Sequence, residues 1–316
     1  MARRKTRSKR GGSLKPAQLN LSYSLADGNS YIDLFGDLSK INRRLYKQGK
    51  VLAISGISFG YAPSGVAPDV VVMGAFTAGD TWVVQNAWMK AKFHWTSQQR
   101  RARKLIGLSA KPTWEDFKVY LDDTHRGGTI GTVLAGDGAA VSSGEWDYSK
   151  FVWENDDNTI EEPYAHLIGG DVGAISDVGL ILAYQESRST VQSPDPDLPA
   201  DYSNNLYAHM AADLDDVADE VAQNMEDDND EPPYDQDDYP GSDTNSDAPW
   251  LQQIGVASIG QPLGRVPGFQ AECGLVMIQL AGHNADGTTA VVPPSLVTFH
   301  LMPGNYQGVL AENMGQ

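Results

Sequence analysis

The side chains with the clearest chemistry lie at the N-terminus, where cations are concentrated. Residues 1–15, MARRKTRSKRGGSLK, contain no acidic residue. The seven cations that we predict to contact phosphates are Arg3, Arg4, Lys5, Arg7, Lys9, Arg10 and Lys15. Lys and Arg at this density bind a polyanion mainly by releasing its counterions, without recognising base sequence. The sequence therefore predicts a nucleic-acid-binding arm, which can also serve as a nuclear-localisation signal.

This arm lacks the side chains needed to fold. It has one Leu and no aromatic residue. The apolar area that it could bury therefore does not offset the entropy cost of ordering it. We predict that residues 1–16 are disordered and that residues 17–316 form a globular domain. Gly11 and Gly12 provide a flexible hinge near the base of the arm.

The rest of the chain has the opposite charge. The 316 residues include 24 basic and 41 acidic ones, and their formal net charge is −17. Residues 16–316 hold 17 of the basic residues and all 41 acidic ones, a net charge of −24. Residues 189–264 contain no Lys or Arg and eighteen Asp or Glu. We predict an exposed acidic insert at about 201–247, facing away from any nucleic acid that the arm binds.

A second cationic cluster ends a predicted helix. Apolar residues recur at helical spacing over about 81–105. The cluster consists of Arg100, Arg101, Arg103 and Lys104. Cations at a helix C-terminus interact favourably with the helix dipole, so a solvated helix end explains them as well as a phosphate contact does. We count the four as candidate nucleic-acid-binding residues and leave both explanations open.

One motif is typical of serine hydrolases. Residues 56–60, GISFG, match the G-x-S-x-G nucleophile elbow. An elbow lies between a strand and a helix, whereas the next residues, YAPSGVAP, favour a loop. Residues 51–61 alternate as a strand instead. The residues predicted to share one face are Val51, Ala53, Ile57, Phe59 and Tyr61. We therefore predict that Ser58 is not a catalytic nucleophile and that the chain is not an enzyme.

No other combination of residues predicts a metal, a cofactor or a membrane segment. The six His residues have neither H-x-H nor H-E-x-x-H spacing, and the acidic insert lacks the calcium-loop pattern. Cys273 is the one cysteine, so no internal disulfide is predicted. The glycine pairs lack the spacing of phosphate-binding loops. No run of eighteen apolar residues is present, and we predict no membrane span.

Hydrophobic patterning predicts a β-rich body. The predicted strands are 19–25, 51–62, 69–78, 117–122, 129–135, 150–154, 178–185, 253–259, 274–282, 289–292 and 296–302. The predicted helices are 30–48 and 81–105. Strands and helices do not alternate regularly, which is the pattern of an all-β sandwich or jelly roll with helical and loop insertions.

Two internal stretches and the arm together resemble a known group of viral proteins. The stretches are DTWVVQNAWMKAKFHW at 80–95 and PTWEDFKVYLDDTH at 112–125. With the basic arm, the Gly hinge and a β-rich body that carries long inserts, they resemble the capsid proteins of small circular single-stranded DNA viruses that encode a replication initiator, the CRESS-DNA viruses. The arm resembles that group by composition rather than residue by residue.

The resemblance implies a single jelly-roll β-sandwich of eight strands in two facing sheets. It implies self-assembly into an icosahedral shell, with the arms inside on single-stranded DNA. A host receptor and a nuclear import receptor are the further partners implied, and the virion and the host nucleus are the implied locations. Because each arm has only seven cations, many arms must act together to hold a genome.

Two other functions are consistent with the residues. One is a monomeric nucleic-acid-binding nuclear accessory protein whose acidic insert is a regulatory loop. The other is a carbohydrate-binding or hydrolytic β-sandwich with an incidental basic N-terminus. Self-assembly into a shell separates the capsid protein from both.

Overall fold

A computed structural model of the chain describes residues 16–62, 67–107, 114–142, 144–154, 159–169, 177–186 and 249–315. Residues 1–15 of the predicted arm and the predicted acidic insert at 201–247 lie outside the described residues.

The described residues form seventeen strands and three helices. The strands are β1 Asn20–Leu25, β2 Gly28–Asp33, β3 Lys50–Gly60, β4 Val70–Thr77, β5 Val133–Leu134, β6 Trp153–Glu154, β7 Ile160–Glu161, β8 Tyr164–His166, β9 Asp177–Gly179, β10 Trp250–Ser258, β11 Leu263–Glu272, β12 Leu275–His283, β13 Thr289–Ala290, β14 Ser295–Leu301, β15 Pro303–Gly304, β16 Gly308–Val309 and β17 Ala311–Asn313. The helices are α1 Leu34–Asn42, α2 Trp82–Leu105 and α3 Leu180–Glu186.

Eight long strands build two antiparallel sheets. The first sheet has the order β11–β3–β14–β1–β5, and β17 also pairs with β3. The second has the order β10–β4–β12–β13, and β2 also pairs with β12. Apolar side chains from both sheets share one buried core, in which Tyr23 and Phe299 of the first sheet lie with Met73 and Ile278 of the second. The predicted all-β sandwich is confirmed.

A second apolar core lies on the other face of the second sheet. Val84 and Trp88 from the first half of α2 are buried there with Phe117 and Val119 of the following loop. Strand β12 contributes to both cores, because Ile278 faces the sandwich and Met277 faces α2. Burial on both faces explains why this strand is apolar without alternation over its first four residues, Leu275 to Ile278.

The predicted helix 30–48 is wrong at both ends. Residues 28–33 form β2, which pairs with β12 and buries Ile32 in the core. The helix begins only at Leu34, because Asp33 caps it by accepting a hydrogen bond from the Gly36 N–H at 2.9 Å. It ends at Asn42, before Arg43 adopts a left-handed conformation with φ 52°.

The predicted strands 129–135 and 150–154 shorten to the two-residue strands β5 and β6. Two further predicted strands are wrong, and one strand was missed. Residues 117–122 form no strand, and Tyr120 makes only an isolated bridge to His166. Residues 178–185 divide into the end of β9 and helix α3. Strand β11 was not predicted, because Pro267 and two glycines interrupt its apolar pattern.

A bulge in β3 overturns the predicted single face of residues 51–61. His300 pairs with Gly56, but Leu301 pairs with Ile54, so β3 has one extra residue there. Val51 therefore packs towards α2, whereas Ile57 lies in the sandwich core. Gly56 has φ 153°, and a Cβ at this position would lie 2.9 Å from the Val266 carbonyl oxygen. The bulge consequently requires glycine.

Glu272 at the end of β11 is expected to make stability depend on pH. Its side chain is buried, and neither carboxylate oxygen has a hydrogen-bond partner among the described residues. Burial raises the pKa of Glu272 to about 7, with a further contribution from Asp80, and the nearby amides of Glu272 and Gly79 and the Thr77 hydroxyl, which do not reach hydrogen-bond geometry, offset only part of this. A raised pKa in the folded state gives stability that is fully present below pH 4.5 and is lost as the pH rises through about 7.

Replacing Glu272 with Gln is therefore expected to stabilise the protein at pH 8 by about 2–3 kcal/mol and to change stability little at about pH 4.5. Urea unfolding at the two pH values measures the difference. Glu312→Gln, which neutralises an exposed glutamate of β17, controls for the loss of one charge. An equal effect of Glu272→Gln at both pH values would show that the buried carboxylate does not titrate in this range.

Candidate nucleic-acid interface

The first described residues place the root of the arm beside the C-terminal end of α1. Arg44 Nη2 donates a hydrogen bond to the Pro16 carbonyl oxygen at 3.4 Å, and the Gln18 N–H donates to Asn42 Oδ1 at 2.7 Å. These two contacts fix where the chain joins the body. The predicted arm is consequently attached at this end of α1.

The surface around the arm root is cationic. Arg43 and Lys47 are exposed, and Arg44 is half-buried against Pro16. Lys40 lies one turn earlier and pairs with Asp37 at 2.8 Å. The sequence prediction did not include these residues as site candidates, although the segment RRLYK at 43–47 carries the same signal of clustered cations.

The second half of α2 extends away from its buried first half and presents the predicted cationic cluster. Arg100, Arg101 and Lys104 are exposed, and none of them pairs with a carboxylate in the described part of the chain. Arg103 differs, because its Nη1 atom lies 3.4 Å from Glu115 Oε2. Three of the four predicted cations are therefore presented to solvent, whereas Arg103 holds the start of the next loop.

A cleft of about 1000 Å³ lies between α1, α2 and the loops around residues 114–118 and 144–152. Its aromatic lining is Trp95, Trp114, Trp146, Tyr148 and Tyr164. Its cations are Lys40, Arg43, Arg44, Lys118 and Lys150. Its carboxylates are Glu115, Asp116, Glu145 and Asp147. Because Arg43 and Arg44 belong both to this lining and to the surface at the arm root, the cleft and the arm root are continuous.

Asp33 positions the floor of the cleft. Its Oδ2 atom accepts hydrogen bonds from Trp146 Nε1 at 2.8 Å, from Gln48 Nε2 at 3.1 Å and from the Tyr148 hydroxyl at 3.2 Å. Its other oxygen caps α1. Burial raises the pKa of Asp33, and these donors oppose the shift. One carboxylate thus joins the helix that carries the arm-root cations to the two aromatic rings of the floor.

Gln48 holds the neighbouring wall. Its Nε2 atom donates to the Val119 carbonyl oxygen at 3.0 Å, and its Oε1 atom accepts from the Val119 N–H at 2.6 Å. The backbone N–H of Gln48 donates to Asp116 Oδ2 at 2.8 Å. Burial raises the pKa of Asp116. These side-chain hydrogen bonds hold the start of the loop, and backbone hydrogen bonds of Lys118 and Tyr120 with Ser149, Ala165 and Leu167 hold its continuation.

Two lysines of the cleft lie over aromatic rings. Lys118 Nζ is 4.7 Å from the centre of the Trp146 ring, and Lys150 Nζ is 4.9 Å from that of Tyr164. Lys150 also pairs with Glu162 at 3.1 Å. Cation–π contacts place positive charge directly beside flat apolar faces. The cleft can therefore offer ring stacking and charge at the same point.

The G-x-S-x-G motif lies inside β3, as predicted, and not at an elbow. Ser58 is paired on both sides, with Arg265 of β11 and Thr298 of β14. Its hydroxyl lies 2.8 Å from His300 Nε2, and His300 Nδ1 lies 3.0 Å from Asn20 Oδ1. The sequence prediction missed this contact, because the bulge and the strand order that create it join residues 242 positions apart.

The buried histidines serve packing. The ring of His125 stacks on Tyr31 with centres 4.7 Å apart, and burial lowers the pKa of His125 to about 3. No group of three or more His, Cys, Asp or Glu in the described ranges is arranged to hold a metal ion. Among the described helices, none is both long and apolar enough to cross a membrane.

Comparisons with protein-family models, with curated proteins and with solved structures return no match for this chain.

Proposed function

We propose that the chain is the capsid protein of a small circular single-stranded DNA virus, and that it self-assembles into an icosahedral shell and packages DNA through its basic arm. The order of the eight long strands carries the proposal. In chain order they are β1, β2, β3, β4, β10, β11, β12 and β14. If these strands are numbered 1 to 8 in chain order, neighbouring strands in the first sheet follow the order 6-3-8-1 (β11, β3, β14, β1). In the second sheet they follow the order 5-4-7-2 (β10, β4, β12, β2). Viral capsid domains commonly have eight strands in two such sheets, the jelly roll.

The position of the arm root supports a shell in which all arms lie on one side, the inside. All seven arm cations lie before Pro16, and Pro16 is attached at the end of α1. In a closed shell of identical subunits, every arm would start on the same side. Weak contacts from many arms then add up on one long polyanion. The charge of −24 on residues 16–316 favours single-stranded DNA at the arms and the acidic insert on the outside.

An apolar edge supports self-assembly. Strand β10 is at the edge of the second sheet in the described part of the chain. The exposed apolar residues along and next to it are Leu251, Ile254, Val256, Ile259 and Leu263. A long edge strand with exposed apolar side chains is a template for pairing with another chain. A second copy of the chain is the partner that a shell supplies; receptors of the host cell and of nuclear import are the further partners we propose, and the virion and the host nucleus are the proposed locations.

Size-exclusion chromatography with light scattering tests the proposal. The purified full chain is expected to form particles of many subunits, with the smaller species favoured as protein concentration falls. A chain that stays monomeric over all salt and protein concentrations would overturn the capsid proposal and leave the accessory protein and the carbohydrate-binding or hydrolytic sandwich as the alternatives.

The contact between Ser58 and His300 favours one alternative, a hydrolase, and calls for its own test. A serine in the middle of a strand does not present the oxyanion-hole amides that an elbow provides. Hydrolysis of an activated ester is therefore expected to stay at the uncatalysed rate, with or without Ser58→Ala. An ester hydrolysis that Ser58→Ala removes, while Ser22→Ala on strand β1 of the same sheet does not, would support the hydrolase.

A further inference from the structure

We propose that the cleft between α1 and α2 binds unpaired bases of single-stranded nucleic acid, as a second site beside the arm. This proposal depends on the proposed function in one respect, since the arm must deliver the strand to the cleft.

The aromatic lining gives the cleft its affinity for bases. The Trp114 side chain is 67% exposed, whereas Trp146 and Tyr148 are held in place by Asp33. Aromatic side chains that stack with successive bases, beside cations that follow the backbone, are the general means of binding single strands. A volume of about 1000 Å³ is at the upper end of the range for ligand sites, so the cleft has room for more than a single base.

The distribution of charge in the cleft indicates that phosphates would contact its rim, near the arm root. Glu115 pairs with Arg103, and Asp116 accepts the Gln48 N–H, so these two carboxylates are engaged by the protein. Arg43 is exposed next to the arm root. Five cations against four carboxylates leave the lining nearly neutral. The arm therefore supplies most of the electrostatic attraction, and the cleft adds stacking.

The same lining explains why unpaired nucleic acid is favoured over a duplex. In a duplex the base faces are stacked on each other, and only their edges are open in the grooves. Flat rings such as Trp114 need a free base face. Neutral carbohydrates also stack on tryptophan, but they carry no charge that would benefit from Arg43 and Arg44 at the root of a polycationic arm.

A pair of variants tests the site by the ratio of two affinities. Full-length subunits, diluted below the concentration of assembly, are titrated with labelled oligothymidylate of roughly 20 nucleotides and with the dA·dT duplex of the same length. Trp114→Ala is expected to weaken binding of the single strand by about 5- to 150-fold, the range for one lost base stack, and to leave duplex binding unchanged. Phe93→Ala, which removes an aromatic ring of the same 67% exposure outside the cleft, is expected to change neither.

Equal losses on both DNAs, or no loss with Trp114→Ala, would overturn the proposal. Neither result affects shell formation, which is measured separately by light scattering, so the capsid proposal can survive them. Failure of the wild-type chain to bind either DNA would overturn both proposals.

Replacing two exposed carboxylates tests whether the ligand of the cleft is nucleic acid or carbohydrate. Glu145 and Asp147 line the cleft and are exposed. Because they repel phosphates, the double variant Glu145→Gln, Asp147→Asn is expected to bind the single strand several-fold more tightly at low salt. Weaker binding of the strand by this variant, together with salt-independent quenching of tryptophan fluorescence by a neutral oligosaccharide, would assign the cleft to carbohydrate and end the proposal.

Discussion

A chain that starts at Pro16, without residues 1–15, is expected to form shells that contain almost no nucleic acid. The deletion removes all seven arm cations. If each contacts a phosphate of a single strand, the slope of log K against log salt changes by roughly 5, at about 0.7 per contact. Shell formation is expected to continue, because both apolar cores are built from residues after Pro16. The ratio of absorbance at 260 and 280 nm of purified particles measures the loss.

The charge of the arm, rather than its length, is expected to determine how much nucleic acid the shells contain. An arm with its Arg and Lys residues replaced by Gln should behave as the deletion does, whereas an arm with the same residues in shuffled order should package normally. Unchanged packaging by the chain that lacks residues 1–15 would mean that the exposed cations of α2 and of the arm root hold the nucleic acid. The proposed role of the arm would then be wrong.

Replacing Asp33 with Ala is expected to destabilise the fold by about 3–5 kcal/mol, which is a large part of the stability of an ordinary domain. The change removes the cap of α1 and leaves three donors without their acceptor: Trp146 Nε1, Gln48 Nε2 and the Tyr148 hydroxyl. Each of these bonds ends on a charged group, for which the individual contribution is about 1.5–3 kcal/mol. Urea unfolding measures the change.

Asp137→Ala provides the matched control, since this exposed carboxylate accepts one backbone hydrogen bond from Ala139. It is expected to cost less than about 1 kcal/mol. The tryptophan fluorescence of folded Asp33→Ala protein is also expected to change, because Trp146 loses its hydrogen bond. If Asp33→Ala were no more costly than Asp137→Ala, Asp33 would not be the residue that joins α1 to the floor of the cleft.

The sequence predicts the sandwich best where one face of a strand is buried and the other is exposed. Strand β1 alternates cleanly, and its inward residues are the ones expected. Strand β11 escapes prediction because Pro267 and its glycines suit an edge strand, where an interrupted apolar pattern is tolerated. Residues 28–33 have too few apolar residues, only Tyr31 and Ile32, to separate a strand from a helix by period, and pairing with β12 decides the outcome.

The candidate site is less predictable, because its parts are distant in sequence. The cations of the arm and of α2 are visible as clusters, and those at 43–47 could have been included by the same criterion. The cleft was not foreseen. Trp114 and Trp146 line the same cleft from two separate loops, which the side chains of Gln48 and Asp33 hold together with backbone hydrogen bonds. Side-chain hydrogen bonds of this kind leave no periodic signal in the sequence.

Electron microscopy of the purified protein decides whether the chain forms a shell. We expect closed, round particles of uniform diameter, with dense interiors that become empty when residues 1–15 are removed. A field of single subunits, or of open and irregular aggregates under every condition of salt and pH, would contradict the proposal that the chain is a capsid protein.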